Sequence, residues 1–361
     1  MAGAGAEGET SAGTGVSRTS AEGAAPMVSV VIVNWNTRDL LEQTLRTLYE
    51  QTTVPFEAIV VDNGSVDGSA ELVRTAFPQA LLVPLPENRG FAAANNIGFS
   101  HAVGRYILLL NSDTIVLPST VAGLAALLDE HAVAGCAGAR HLNADLSLQR
   151  SVDNAPSLLN DLLSYTELQR LAVFGGLLRR RFAWWADHDA VRTVGWVNGS
   201  CMMVRREVLD AVGGLDEGFF IYAEELDWCY RMWGAGFSVY FTPDAEVIHL
   251  GGQAMNSAVS RRLVLKYTGQ LRFYLKNYSY GRYLALRAIV AGVALVRLTM
   301  LLGLAAVAPL GLRPSERVWE VLTQENVMTN PRTMLRVWWK ILCLPRPSVS
   351  HDSAWRQISR A

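Results

Sequence analysis

The chain has 361 residues, half of them hydrophobic and 18% charged, with a formal net charge of −1. That length holds one large α/β domain with an appendage, or two domains. The near-neutral total hides a division: residues 257–361 carry 16 basic and 4 acidic side chains, or +12, against −13 for residues 1–256. A basic, aliphatic tail on an acidic body suits an anionic membrane surface. It argues against nucleic acid, because the basic region runs through long aliphatic stretches instead of a polar patch. Cys136, Cys201, Cys229 and Cys343 lie far apart with no C-x-x-C pair, which argues against a zinc site or disulfide framework and fits a reducing compartment.

Residues 1–26 are rich in Gly, Ala, Ser and Thr, acidic, and without an apolar core segment. They read as a disordered leader that is neither a secretory signal nor a span. From residue 27 the pattern changes. VSVVIVN (28–34) is a continuous β-branched run, the mark of a strand covered on both faces. RDLLEQTLRTLYEQ is a helix, FEAIVVDNG (56–64) a strand, SAELVRTAF a helix, ALLVPL a strand, FAAANNIGFSHAV a helix and RYILLLNSD (105–113) a fourth strand. This alternation predicts a mostly parallel, doubly wound α/β sheet with crossover helices, over residues 27–255. Residues 140–195 are less regular; RRRFAWW (179–185) within them is either a basic, aromatic loop over the cleft or a surface connection. Residues 196–220 give a strand, a short helix and a Gly-rich turn, and FSVYFTPDAEVIHL (237–250) a final strand pair ending in His249.

Ligands of open α/β sheets bind outside the carboxyl ends of the strands. There the chain collects Asn34 and Asn36, Asp62 and Asn63, Asn88 and Arg89, and Asn111 and Asp113. Four polar strand ends in succession point to a binding cleft, where one or two would be turn chemistry. Neither G-x-G-x-x-G nor a P-loop follows the first strand, which continues NWNTRD instead. A pyrophosphate in this cleft therefore needs another partner, and NSD (111–113) offers a carboxylate for a hard divalent cation.

In order, VSVVIVNWN, VVDNGSVDGS, NRGFAAANN, LLLNSDT, VNGSCMMVRREVLDAVGGLDEGFFIYAEELDWCYRMWGAGF and PDAEVIHLGG resemble the blocks of family 2 inverting glycosyltransferases of the GT-A (Rossmann-like) fold, nearest to bacterial rhamnosyltransferases of O-antigen and cell-wall linker synthesis. The resemblance implies a nucleotide pocket of Asn34, Asn36, Asp62, Asn63, Asn88, Arg89, Asn95, Asn111 and Ser112. Asp62 would read base or ribose, and Gly90 would allow close backbone approach. It makes Asp113 the ligand of a divalent metal, Mg²⁺ or Mn²⁺, with His249 beside it; a structural histidine is the alternative. In the family's acid block the second acid is the general base, a position held here by Glu225 where the family has Asp. The added methylene leaves open that Glu224 shares the role. On a helix Glu224 and Asp227 share a face, with Glu225 about 100° from Glu224; a solvated acidic helix start is the plain alternative for the three.

The implied reaction is a single displacement with inversion. A sugar, L-rhamnose of dTDP-rhamnose being favoured, moves to a hydroxyl of a polyprenyl-diphosphate-linked or polysaccharide acceptor, with Phe220, Tyr222 and Trp228 as candidate sugar platforms. A nucleotidyltransferase and a non-catalytic sugar-nucleotide-binding scaffold are the other readings. The tail, 256–361, includes LALRAIVAGVALVRLTMLLGLAAVAPLGL (284–312), long enough to span a bilayer but with Arg297 near its middle. Interfacial helices at the cytoplasmic face of the membrane are favoured over a span, and a homodimer interface is the alternative use of these helices.

Overall fold

The computed structural model describes residues 26–166, 188–251, 259–307 and 331–347. Residues 1–25 of the expected leader, the RRRFAWW stretch and positions 308–312 of the apolar run lie outside the described residues. The elements run β1 (Val28–Asn34), α1 (Arg38–Gln51), β2 (Phe56–Asp62), α2 (Ser69–Ala76), β3 (Leu81–Pro84), α3 (Phe91–His101), β4 (Tyr106–Asn111), β5 (Thr114–Val116), α4 (Thr120–Glu130), β6 (Ala134–Leu142), β7 (Leu148–Gln149) and β8 (Val152–Asp153). They continue with α5 (Leu158–Thr166), β9 (Arg192–Thr193), β10 (Trp196–Val197), β11 (Cys201–Arg205), α6 (Arg206–Val212), α7 (Glu224–Gly234), β12 (Ser238–His249), α8 (Val259–Asn277), α9 (Tyr280–Val307) and α10 (Pro331–Leu342).

The β-branched run of β1 is buried at six of its seven positions because strands flank it and helices cover both faces. The sheet order is β3-β2-β1-β4-β11-β6-β12-β5. β1, β2, β3 and β4 are parallel, as expected. β11 enters antiparallel to both β4 and β6, while β12 runs parallel to β6. One face packs on α1 and α4, through residues such as Leu41, Leu45 and Leu124. The other packs on α3 and α7 through Ala92, Phe99, Trp228 and Met232.

Two departures from the sequence expectation have local causes. The expected pair at 237–250 is one twelve-residue strand, bulged between Thr242 and Glu246 around Pro243. Proline offers no N–H to a ladder, so a bulge is where it fits within a strand. β6, AGCAGARHL, has no β-branched residue and went unmarked. Its small residues are required: a Cβ on Gly138 would lie 2.6 Å from Val197, and one on Gly135 2.6 Å from Phe237.

The tail helices do not hang free. α8, α9 and α10 enclose their own core around Tyr267, Phe273, Leu286 and Trp338, and Phe219 and Leu226 of the main domain join it. Arg297 is turned inward, 4.4 Å above the Trp338 ring and donating to the Tyr165 carbonyl at 2.7 Å. The charge that weighed against a span is thus satisfied by protein. Asp227 bolts α8 to the main domain: its carboxylate is fully buried and accepts from Arg231 Nε (2.9 Å), Lys276 Nζ (2.9 Å) and Asn277 Nδ2 (2.9 Å). Lys276 also reaches Asp216 at 2.7 Å. Asp227→Ala would leave these donors about a buried void, and a loss of about 2–3 kcal/mol is expected by urea denaturation. An unchanged midpoint and slope would remove Asp227 from this structural role.

Candidate active site

The loops after the parallel strands are knitted by their amides. Asn34 Nδ2 donates to Asp62 Oδ1 and to Ser65 Oγ, both at 3.2 Å, and its Oδ1 accepts from Thr37 Oγ1 at 2.7 Å. Asn36, at φ +54°, accepts from the Val66 N–H at 2.8 Å. Asn63 donates to Asn88 Oδ1 (3.1 Å) and accepts from the Arg89 N–H (2.8 Å). Such bonds spend side chains on loop shape, and they sort the expected nucleotide residues. Asn63, Asn88, Asn111 and Ser112 line a cavity of about 230 Å³ at the strand ends. Asn34 and Asp62 lie behind its wall, and Asn36 faces a separate depression beside Arg38 and Asp67.

Three of the expected residues point elsewhere. Gly90, at φ +88°, does make a close backbone approach, but to protein: a Cβ there would stand 2.7 Å from the Phe220 carbonyl oxygen. That carbonyl accepts from the Phe91 N–H at 2.6 Å, so the NRGF block docks the segment leading into α7. Asn95 is buried and returns its amide to the Phe91 carbonyl, away from the cavity, and the Arg89 side chain is exposed outside it.

Opposite the amides, β4 ends in Asn111, Ser112 and Asp113. Ser112 Oγ is 2.9 Å from Thr37 Oγ1, and its carbonyl accepts from Thr44 Oγ1 at 3.0 Å, which fixes the turn. β12 pairs with β5 and sets His249 opposite Thr114, so that His249 Nε2 lies 3.3 Å from Asp113 Oδ1. Gln149 assigns the tautomer. Its Nε2 donates to the His249 carbonyl (3.0 Å), leaving Oε1 to accept from Nδ1 (2.7 Å). Nδ1 therefore carries a proton, and Nε2 lies 3.3 Å from the Asp113 carboxylate and 3.4 Å from Asn111 Nδ2. Asn111 Oδ1, buried beside them, has no hydrogen-bond donor. An imidazole lone pair and a carboxylate oxygen so close fit a shared cation. Among the described residues no three His, Cys, Asp or Glu side chains cluster, and two protein ligands completed by phosphate and water suit Mg²⁺ or Mn²⁺.

Across the cavity stands the acid block. Tyr222 and Ala223 both take φ of +72°, a left-handed pair without glycine, and α7 starts at the next residue. This geometry turns Glu225 into the cavity, beside Phe220 and Tyr222. The divergence expected of neighbouring acids holds, with different partners: Asp227 faces the tail cations, while Glu224 is buried and its Oε2 bonds to nothing. Glu225 Oε2 likewise lacks a partner. Burial pushes the Glu225 carboxyl up to about 7. Burial, then repulsion from Glu225, holds Glu224 well above the usual range. Trp228 is no sugar platform: it is fully buried, 5.5 Å from Phe99 in a stack, with Nε1 donating to the Gly213 carbonyl.

Sequence reasoning missed Trp35, Asn198 and Arg261, which line the same cavity. Trp35 lies inside the NWN block and Asn198 inside VNGS, so both were signalled by the blocks they interrupt. Arg261 comes from α8, and nothing in its local pattern sets it apart from the other tail cations.

A mostly parallel sheet with a carboxylate–histidine pair and a buried acid at its strand ends is the arrangement of a GT-A nucleotide-sugar enzyme. A mannosyltransferase from Pyrobaculum calidifontis, solved with GDP-Man and Mn²⁺, shares the fold with a TM-score of 0.53 at 20% identity, over 88% of this chain and 86% of that one. The family model "Glycosyl transferase family 2" matches residues 29–213, and the chain belongs to that family. An N-acetylglucosaminyl-diphospho-decaprenol L-rhamnosyltransferase of Mycobacterium tuberculosis is 28% identical over 240 residues, 62% of this chain and 76% of the relative. An undecaprenyl-phosphate 4-deoxy-4-formamido-L-arabinose transferase of Salmonella choleraesuis is 33% identical over 165 residues, 43% and 49% of the two chains.

The raised carboxyl has a thermodynamic consequence. Its pKa in the folded chain lies above the unfolded value of 4.5, so its stabilising contribution is complete below 4.5 and is lost as pH rises through about 7. Glu225→Gln is therefore expected to melt above the wild type at pH 8 and level with it at pH 4. Parallel melting curves across that range would contradict a buried, protonated carboxyl.

Proposed function

We propose that the chain is an inverting transferase that moves L-rhamnose from dTDP-rhamnose to a hydroxyl of a polyprenyl-diphosphate-linked glycan at the cytoplasmic face of the membrane. The observation that carries this reading is one cavity with two walls: the Glu225 carboxyl, its Oε2 without a hydrogen-bond partner, on one side, and the Asp113–His249 pair on the other. The mycobacterial rhamnosyltransferase relative supports the sugar and the lipid-linked acceptor. A nucleotidyltransferase would have no use for a desolvated base on the acceptor side.

Glu225 takes the proton of the acceptor hydroxyl as that oxygen attacks the anomeric carbon. The bond from that carbon to the diphosphate oxygen breaks on the opposite face, and the nucleoside diphosphate departs with the electron pair, which inverts the configuration. Asp113 and His249 would hold a divalent cation, which supplies Lewis-acid neutralisation of the departing diphosphate. Gln149 keeps His249 in the tautomer that leaves Nε2 able to ligate. Phe220 and Tyr222 exclude water around Glu225, and their apolar surroundings hold its proton affinity near neutrality.

The tail supports the membrane site. α9 contains the apolar stretch Tyr280–Leu304, long enough to cross a bilayer, yet one face is packed on its neighbours while Leu284, Leu295, Val296, Met300 and Leu302 are exposed. With Trp339 of α10 exposed as well, an apolar face is turned outward where lipid could cover it, while the opposite face stays on protein.

Incubation with dTDP-rhamnose, Mg²⁺ and an N-acetylglucosaminyl-diphospho-polyprenol is expected to yield a rhamnosylated lipid whose new linkage is inverted by NMR. Absence of product with every sugar nucleotide tried would refute the reading. Glu225→Gln should lower kcat by about 10²- to 10⁴-fold while still binding dTDP, and wild-type kcat/KM should rise with pH through about 7 as the base ionises. Asp113→Ala should abolish the effect of Mg²⁺ or Mn²⁺ on dTDP affinity; a metal-dependence equal to the wild type's would free Asp113 of that role. Leu295→Glu with Met300→Glu should reduce co-sedimentation with anionic phospholipid vesicles by about tenfold or more, each replacing a buried apolar contact by a charge.

A further inference from the structure

Several cations of the tail have acceptors within the protein. Arg272 and Lys276 reach Asp216, Lys276 also reaches Asp227, Arg287 donates to the Leu344 carbonyl and Arg297 to that of Tyr165. Arg261, in the first turn of α8, differs. Its Nε is buried without a hydrogen-bond partner, and its guanidinium lies 5.9 Å from the centre of the Phe220 ring. It lines the cavity that Glu225, Tyr222, Asp113 and His249 line, and it is the one Lys or Arg among the described residues that do so.

The Arg261 Nε–H is out of water without an acceptor, which is costly, and the planar fork of a guanidinium matches phosphate oxygens in paired hydrogen bonds. The chemistry of the cavity supplies such a group. Asp113 and an ionised Glu225 are both negative, and heterolysis of the sugar–oxygen bond adds one more negative charge to the leaving diphosphate. A single cation at Asp113 and His249 leaves part of that charge unmatched on the side where Arg261 stands.

We infer that Arg261 binds a phosphate of a diphosphate ester in this cavity, so that the tail completes the substrate site. The identity of the ester rests on the function proposed above; anion binding by Arg261 does not. Two sources share this chemistry, the nucleoside diphosphate of the donor and the lipid diphosphate of the acceptor.

The test titrates the full-length chain calorimetrically, in Mg²⁺, with dTDP and separately with farnesyl diphosphate. Arg261→Gln is expected to weaken at least one of the two by about 10- to 100-fold, with an unchanged melting temperature. Arg261→Lys, which keeps the charge and loses the fork, should fall between. Loss for dTDP places the arginine on the donor, and loss for farnesyl diphosphate places it on the acceptor. Affinities within twofold of wild type for both ligands overturn the inference, as does a wild-type chain that binds neither. Should Arg261→Gln fail to fold, Arg261→Lys decides by the same twofold criterion. Arginine-dependent binding in a chain that transfers no rhamnose would sink the proposed reaction and leave this inference standing.

Discussion

Everything at the site depends on a strained turn held from two sides. Tyr222 and Ala223 sit consecutively in the left-handed region, a geometry that costs on the order of 1–3 kcal/mol per residue. It persists because the surroundings leave no alternative. From the main domain, Gly90 lets the loop after β3 press on Phe220, whose carbonyl takes the Phe91 N–H. From the tail, Gly269 lies so close that a Cβ on it would stand 2.5 Å from the Tyr222 carbonyl oxygen. The turn aims one acid of an adjacent pair into the cavity and sends the other into the protein. Oε2 of each acid is without a hydrogen-bond partner, and burial, working against the backbone hydrogen bonds that Glu225 accepts, raises its carboxyl to about 7.

The tail is therefore packed against the segment that carries the acid block. The family match ends at residue 213, before α7 begins. Glu225 is carried by α7, and α7 is held to α8 by Asp227, Lys276 and Asn277. A second tie runs through Asp161 of α5, which accepts from Gln270 Nε2 at 3.1 Å and from the Tyr274 hydroxyl. The helix that exposes its apolar face stands one short connection beyond α8, so that exposed apolar surface and the surface that braces Glu225 belong to one helical unit.

Much of this was legible in the sequence. The parallel half of the sheet follows from β-branched runs alternating with helical spacing, and the cleft from four polar strand ends. Less legible was everything that depends on what is missing from a side chain. β6 carries small residues where Val197 and Phe237 need room, so its pattern lacked the apolar signal of a strand. Gly90 was read as making space for a ligand, whereas it makes space for Phe220. Amides expected to read a nucleotide, Asn34, Asn36 and Asn95, are partly consumed in shaping loops and a helix. A sequence shows that an amide stands at a strand end; which of its hydrogen bonds the protein keeps for itself is decided by neighbours distant in the chain. Asp227 and Trp228 illustrate the same limit, since both stand in the acid block and face away from the chemistry.

Gly269 sets a mechanical condition on the enzyme. Advancing α8 by one residue means a 1.5 Å rise and a 100° rotation, which would present Thr268 or Gln270 where only a hydrogen atom fits. The helix consequently has a single register against the turn it touches. A one-residue slide of α8 along the turn is therefore sterically blocked at Gly269.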